Sequence, residues 1–171
     1  MEPLRDARGL TENEAIARYR SKNYPRPAMT ADIVIFRREA GKQKVLLVKR
    51  GGHPFLGQWA LPGGFANENE PIEDTAAREL REETGVSGLS LRLVDVFSQP
   101  GRDPRGWVVS VAYCAAVGED VPVKAGDDAA DARWFTLEGD CLHSGTLVLN
   151  RENLAFDHGE ILERAEEMAA F

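Results

Sequence analysis

The 171 residues of this chain suit one domain with a single core, and 43% hydrophobic with 29% charged residues is the balance of a folded protein rather than a disordered one. Its 28 acidic residues outnumber its 21 basic residues, and the net charge of −7 disfavours nonspecific binding to nucleic acid. No apolar run reaches the roughly 20 residues that a membrane span needs, and we see no basic or apolar leader. The two cysteines lack a metal-binding spacing, so we expect a reducing, cytoplasmic location.

The pattern of apolar and turn-forming residues predicts alternating helices and strands. Thr11 and Glu14 have the spacing of a capping box, while Pro71 suits position N1 of a helix that Gly85 ends. We expect an N-terminal extension over 1–28, with a short peripheral helix, and one α/β domain over 29–171. In chain order the predicted elements are a helix over 11–20, strands over 29–37, 45–48 and 59–61, a helix over 71–84, strands over 89–97, 107–117 and 132–136, and a helix over 156–170.

The second predicted helix carries acidic residues on its apolar face. On a helical wheel Glu79 and Glu83 fall within the apolar stripe, and Glu82 lies at its edge. Carboxylates on a core-facing side are costly to desolvate and raise each other's pKa unless a cation compensates them. Because the donors are oxygens, with no histidine or cysteine nearby, the pattern favours Mg²⁺ or Mn²⁺. The alternative is a solvated face on which these glutamates pair with Arg78 and Arg81.

Residues 64–86 fit the pattern G-x5-E-x7-R-E-U-x-E-E-x-G-U, in which U is a bulky aliphatic residue. Through this pattern the chain resembles the Nudix hydrolases, and the resemblance covers roughly residues 25–170. It implies a Nudix-type α/β/α sandwich around a mixed β-sheet and hydrolysis of a nucleoside diphosphate linked to another moiety. The fixed positions are Gly64, Glu70, Arg78, Glu79, Leu80, Glu82, Glu83, Gly85 and Val86.

The same resemblance implies roles for the residues of this box. Glu79, Glu82 and Glu83 would bind the divalent metal, Mg²⁺ or Mn²⁺, with the Gly63 carbonyl as a backbone ligand. Glu83, Glu82 and Arg78 are the catalytic candidates, and Arg78 would orient the carboxylates together with Glu70. The general base stays open, because some family members use a glutamate of the box and others an acid on a later loop. Four later acids therefore compete with Glu83, and the alternative for them is a solvated acidic loop without a catalytic role. These are Glu119, Asp120, Asp127 and Asp128.

Segments outside the box are similar to the ADP-ribose pyrophosphatase branch of this family. The likeness implies a small-molecule nucleotide substrate, ADP-ribose, cleaved to AMP and ribose 5-phosphate. Arg50, Arg102 and Arg105 are candidates for contacts with phosphate or ribose, because a planar guanidinium binds phosphate through two hydrogen bonds. The alternative for them is pairing with acidic side chains. The similar segments are 24–27, 48–51, 57–64 and 100–106.

Aromatic and histidine side chains are weaker candidates. Phe55 and Trp107 could stack on adenine, although an aromatic residue beside a strand more often belongs to the core. The three histidines are interpreted as structural, because no nucleophile or metal ligand accompanies them. They are His53, His143 and His158.

Other functions stay open at this point. A house-cleaning nucleoside triphosphate pyrophosphatase or a dinucleotide pyrophosphatase would use the same box. A non-catalytic sensor of ADP-ribose is a candidate of another class, but such regulators commonly carry degraded boxes, and we expect no DNA-binding domain after Leu149. The resemblance also allows a homodimer.

Overall fold

A mixed sheet of nine strands organises the residues that the computed structural model describes, namely 3–118, 121–124 and 129–169. Its strands are β1 (Ala28–Glu39), β2 (Lys42–Arg50), β3 (Trp59–Ala60), β4 (Gly63–Phe65), β5 (Arg92–Phe97), β6 (Val108–Val117), β7 (Ala129–Glu138), β8 (Cys141–Ser144) and β9 (Leu147–Asn150). The helices are α1 (Glu12–Ser21), α2 (Ile72–Thr84) and α3 (His158–Ala169).

The topology places β1 near the middle of the sheet. The strand order is β5-β6-β1-β2-β7-β8-β9, with β3 paired to β2 and β4 paired to β1. The β1–β6 pair is parallel, whereas β1 and β2 form the predicted antiparallel hairpin. Together with the flanking helices, this arrangement confirms the predicted mixed sheet of an α/β/α sandwich.

Each face of β1 packs against a different helix. Because side chains alternate along a strand, Ile33 and Ile35 face the α2 side, where they join a core with Leu80. Val34 faces the opposite side and packs in the core that contains Ile161 of α3. Burial on both faces explains why the middle of this strand, residues 33–36, is a continuous apolar run.

The helices follow the capping signals in their sequence. Thr11 and Glu14 form the predicted capping box of α1, which buries none of its side chains. Gly85 ends α2 in the left-handed conformation, whereas Pro71 is the N-cap rather than the predicted N1 residue, since α2 begins one residue later. Within the ranges given above, no helix is long and apolar enough to cross a membrane.

The C-terminal third differs from the prediction. The strand predicted over 132–136 is the longer β7, and it is followed by β8 and β9, which were not predicted. Gly139 and Gly145 both have positive φ at the turns between these strands, which lets the chain reverse within two residues. Two strands of four residues each are too short to show an alternating pattern. The strand predicted over 89–97 also begins later, at Arg92, and α3 begins at His158 rather than 156.

Candidate active site

A cleft of about 630 Å³ opens where β1, the turn between β3 and β4, and α2 meet the loop before β6 and the start of α3. These elements are distant in the sequence, so the cleft is a product of the tertiary fold. The side chains that line it include Asp32, Arg50, Phe65, Arg78, Glu79, Glu83, Arg102, Asp103, Arg105, Phe156 and His158.

Two carboxylates of α2 form one wall of the cleft. Glu79 and Glu83 line it, and Glu83 Oε2 accepts a hydrogen bond from the Gly63 N–H at 2.9 Å. Burial, together with the negative charges of Glu79 and Asp32, raises the pKa of Glu83 to about 7, although the hydrogen bond from Gly63 lowers it in part. Burial also raises the pKa of Glu79. The cleft therefore holds two acidic groups that resist ionisation as long as no cation compensates them.

Arg78 connects the acidic residues of the box. Its Nε and Nη2 donate to the two oxygens of Glu70 at 2.8 and 2.9 Å, and its Nη1 donates to Glu79 at 2.5 Å and to Glu82 at 3.2 Å. This guanidinium holds the pKa of Glu70 well below its usual range. Nη2 also donates to the Phe65 carbonyl at 2.9 Å, so Arg78 joins α2 to β4. Such contacts favour the predicted orienting role.

Two glycines allow the turn to approach β1 and α2 closely. A Cβ atom on Gly63 would lie 2.2 Å from the carbonyl oxygen of Ala31, and one on Gly64 would lie 2.5 Å from the carboxyl carbon of Glu79. Real Cβ atoms essentially never show such distances, so a side chain at position 63 would have to move the backbone of β1, and one at position 64 would have to move the Glu79 carboxylate. Glycine at position 63 therefore keeps the turn against β1, and glycine at position 64 leaves the Glu79 carboxylate in its place in the cleft.

The chemistry of the α2 carboxylates fits a divalent cation. Glu79 and Glu83 are hard oxygen donors one helical turn apart, and a positive charge between them would relieve their mutual repulsion. Glu82 lies at the outer edge, largely exposed and paired with Arg78. Within the described ranges no three acidic, histidine or cysteine side chains gather closely enough to hold an ion. The pair in the cleft is therefore the part of the predicted ligand set that the fold brings together.

Arginine and aromatic side chains form a second wall. The Arg105 guanidinium lies 4.6 Å from the centre of the Phe65 ring and 5.3 Å from that of Phe156. Arg50 lies 4.9 Å from the same Phe156 ring, while its Nε donates to the Pro54 carbonyl at 2.7 Å. Stacking on rings holds both guanidinium groups in place. Arg105 also forms a bidentate ion pair with Asp103, in which Nη2 and Nε donate to the two carboxylate oxygens at 2.7 and 3.0 Å.

Two other candidates for substrate contact are likewise engaged with the protein itself. Arg102 is buried and makes two hydrogen bonds to Asp157, at 2.7 and 2.5 Å. Phe55 does not line the cleft but packs edge-on against Phe156, with ring centres 4.7 Å apart. Trp107 is exposed rather than part of the core. The loop acids Glu119, Asp120, Asp127 and Asp128 lie outside the described residues.

Sequence reasoning missed a buried polar network at the base of the cleft. Asp32 of β1 accepts a short hydrogen bond from Ser110 of β6, and its other oxygen lies 3.4 Å from Nε2 of His158. All three are buried. The usable signal was Asp32 itself, a carboxylate directly before the apolar run of β1, since buried acids need compensating partners.

Comparisons with known proteins give a consistent result. The NUDIX domain family model matches residues 26–153. The chain is 40% identical to an ADP-ribose pyrophosphatase of Methanocaldococcus jannaschii, over 82% of this chain and 73% of that protein. It is 34% identical to an ADPR responsive transcriptional repressor of Acinetobacter baylyi, over 91% of this chain but only 59% of the repressor. The NUDIX domain of Shewanella oneidensis NrtR, solved in complex with ADP ribose, superposes with a TM-score of 0.76 and 33% identity, over 94% of this chain and 99% of that one.

Proposed function

Because the chain belongs to the Nudix family and is a Nudix hydrolase, we propose that it hydrolyses ADP-ribose to AMP and ribose 5-phosphate with a divalent cation, Mg²⁺ or Mn²⁺. In this reaction water adds to one phosphorus of the diphosphate, and the bond from that phosphorus to the bridging oxygen breaks.

The observation that carries the proposal is the pairing of an acidic wall with a cationic wall in one cleft. Glu79 and Glu83 of α2 line the cleft together with Arg50 of β2 and Arg105 of the loop before β6. A diphosphate carries negative charge on both phosphoryl groups, so its binding needs more than one source of positive charge. The arginines supply it directly, and the carboxylates supply it by holding a cation.

The residues of this chain have separate parts in the proposed reaction. A divalent cation, when bound, would neutralise charge on the diphosphate and lower the pKa of the attacking water. Glu79 and Glu83 would hold it, and the hydrogen bond from Arg78 fixes the position of the Glu79 carboxylate. Because Oε2 of Glu83 accepts the Gly63 N–H, a proton taken up by Glu83 is held at Oε1. Glu83 is thus a candidate base as well as a ligand.

The second wall suits the organic part of the substrate. Phe65 and Phe156 present rings beside the guanidinium of Arg105, and planar groups of this kind bind a nucleotide base or orient its phosphates. The likeness to the ADP-ribose pyrophosphatase and to the domain solved with ADP ribose supports ADP-ribose over other nucleotides.

A sensor that binds ADP-ribose without cleaving it is the second candidate, favoured by the likeness to the repressor. The complete acidic box in this chain favours hydrolysis, since a pure binding protein does not need carboxylates that are costly to bury.

One experiment separates these functions. The purified protein is incubated with ADP-ribose, NADH, a diadenosine polyphosphate or 8-oxo-dGTP, with Mg²⁺, Mn²⁺ or EDTA, and the products are separated by chromatography. We expect AMP and ribose 5-phosphate from ADP-ribose only when metal is present. Tight ADP-ribose binding by calorimetry without turnover of any compound establishes the sensor, and preference for another compound rejects ADP-ribose as the substrate.

Matched variants assign the activity to the cleft. Glu83→Gln should lower turnover by at least about 100-fold, given what a positioned ligand or base contributes. Glu73→Gln removes an exposed carboxylate from the same helix and should leave turnover unchanged. Equal activity of both variants would remove Glu83 from the mechanism.

A further inference from the structure

We propose that His158 is a positioning residue of the active site: its Nδ1 atom holds the Leu61–Gly63 turn, and through that turn it sets the place of Glu83. This inference rests on the proposed function, because it assigns Glu83 to the reaction. His158 itself is not expected to touch substrate.

The imidazole is fixed by contacts on both nitrogens. Nδ1 accepts a hydrogen bond from the backbone N–H of Leu61 at 2.9 Å. In a neutral ring with Nδ1 as acceptor, the proton must be on Nε2, which lies 3.4 Å from Oδ1 of Asp32. Burial lowers the pKa of His158 and keeps the ring in this neutral form.

The partners of His158 are fixed in turn. Ser110 donates to Oδ2 of Asp32, and the Arg102 guanidinium lies 3.7 Å from the same oxygen. Arg102 is held by its two hydrogen bonds to Asp157, the residue that precedes His158. The network therefore closes around the ring and leaves it little freedom to rotate.

This network does not have the order of a nucleophilic triad. In such a triad the histidine stands between the serine and the carboxylate. Here Asp32 stands between Ser110 and His158, and Ser110 is fully buried. The histidine nitrogen that could serve as a base is occupied by the backbone of Leu61. Nδ1 of His158 therefore acts as a fixed hydrogen-bond acceptor for the backbone and not as a base.

The turn that His158 holds has three anchors on three different elements. The Leu61 N–H is bound by α3 through His158, and the Pro62 carbonyl accepts the N–H of Ile33 in β1 at 2.8 Å. The Gly63 N–H donates to Glu83 of α2 at 2.9 Å. Loss of the first anchor frees the turn two residues before the group that binds Glu83. We expect this loss to displace the Glu83 carboxylate before it disturbs the rest of the fold.

Two amide side chains can separate the two nitrogens of the imidazole. In His158→Asn the amide oxygen falls near the position of Nδ1 and can still accept the Leu61 N–H. In His158→Gln the amide reaches toward Asp32 and leaves the Leu61 N–H without its acceptor. Each variant thus keeps one of the two contacts, and both remove the ring.

The test measures Mn²⁺ affinity without nucleotide, kcat and KM for ADP-ribose, hydrogen exchange of the Leu61 amide, and the melting temperature. For His158→Gln we expect a loss of about 10- to 100-fold in Mn²⁺ affinity and in kcat, with faster Leu61 exchange and little change in KM. For His158→Asn we expect affinity and kcat close to wild type, although both variants melt at lower temperature. Equal losses in both variants, or a change in melting temperature alone, would overturn the proposal.

A measurement on the unmodified protein covers the case in which a variant does not fold. We expect a scalar coupling across the hydrogen bond between the Leu61 amide nitrogen and Nδ1 of His158, and a shift of the Nδ1 resonance when Mg²⁺ is added. Absence of the coupling, or an Nδ1 resonance that ignores Mg²⁺, overturns the proposal. If the wild type turns over no nucleotide, the proposed function fails, while metal affinity and Leu61 exchange still decide the role of His158.

Discussion

Replacement of Glu83 by glutamine should make the metal-free protein more stable at pH 8 while it removes hydrolysis. The pKa of Glu83 rises from its ordinary value of 4.5 to about 7 in the fold, a difference that corresponds to about 3 kcal/mol. Because the folded protein binds this proton more tightly than the unfolded chain, stability from this group is complete below pH 4.5 and is lost as the pH rises toward 7. Above pH 7 the ionised carboxylate destabilises the fold by that amount.

Glutamine cannot ionise, and its amide oxygen can still accept the Gly63 N–H. Because a neutral acceptor binds more weakly than a carboxylate, we expect a gain of about 1–3 kcal/mol, or about 3–8 °C in melting temperature. The assay is thermal unfolding in EDTA at pH 4.5 and pH 8, with Glu73→Gln as the control. The reasoning is refuted if Glu83→Gln melts below wild type at pH 8, or if the difference is the same at both pH values.

Three further predictions concern the same wall of the cleft. In Gly64→Ala the new Cβ would lie 2.5 Å from the carboxyl carbon of Glu79 and should displace that carboxylate. We expect turnover to fall about 10-fold or more, with little change in melting temperature. Unchanged turnover would show that Glu79 has room to move. In Gly63→Ala the new Cβ would lie 2.2 Å from the carbonyl oxygen of Ala31. Overpacking of about 3 kcal/mol should lower the melting temperature by about 6 °C or more. A melting temperature equal to that of wild type contradicts this prediction. Mg²⁺ should raise the melting temperature more at pH 8 than at pH 5. With a pKa of about 7, Glu83 is protonated at pH 5 and is then a poor ligand. Equal shifts of the melting temperature at both pH values count against Glu83 as a ligand.

The features that sequence predicts well depend on residues close together in the chain. The capping box of α1 joins residues three positions apart, and Gly85 ends α2 because glycine adopts the left-handed conformation at little cost. The box on α2 was predictable for the same reason, since one helix displays Glu79 and Glu83 on one face. The placement of both side chains in the cleft agrees with that pattern.

The features that sequence did not predict join residues far apart. His158 binds Leu61 across 97 positions, and Arg102 binds Asp157 across 55. No spacing or periodicity connects such pairs, so His158 looks like an ordinary helix-start residue and Arg102 like a free cation. Their partners follow only from the strand order, which brings the loop before β6 and the start of α3 to the same end of β1. The boundary between an extension over 1–28 and a domain over 29–171 stays a prediction.

The parallel pairing of β1 with β6 has a consequence for the order in which the chain folds. Ala28 pairs with Val108, about 80 residues away, whereas β1 and β2 are joined by a turn of two residues. Closing the longer loop costs about 3 kcal/mol more chain entropy than closing the shorter one. The hairpin can therefore form early, and the strand that carries Ser110 can join only after much of the chain has collapsed. Until then Asp32 has no hydrogen bond from Ser110. We therefore expect the base of the cleft to be among the last parts of the molecule to acquire its native structure.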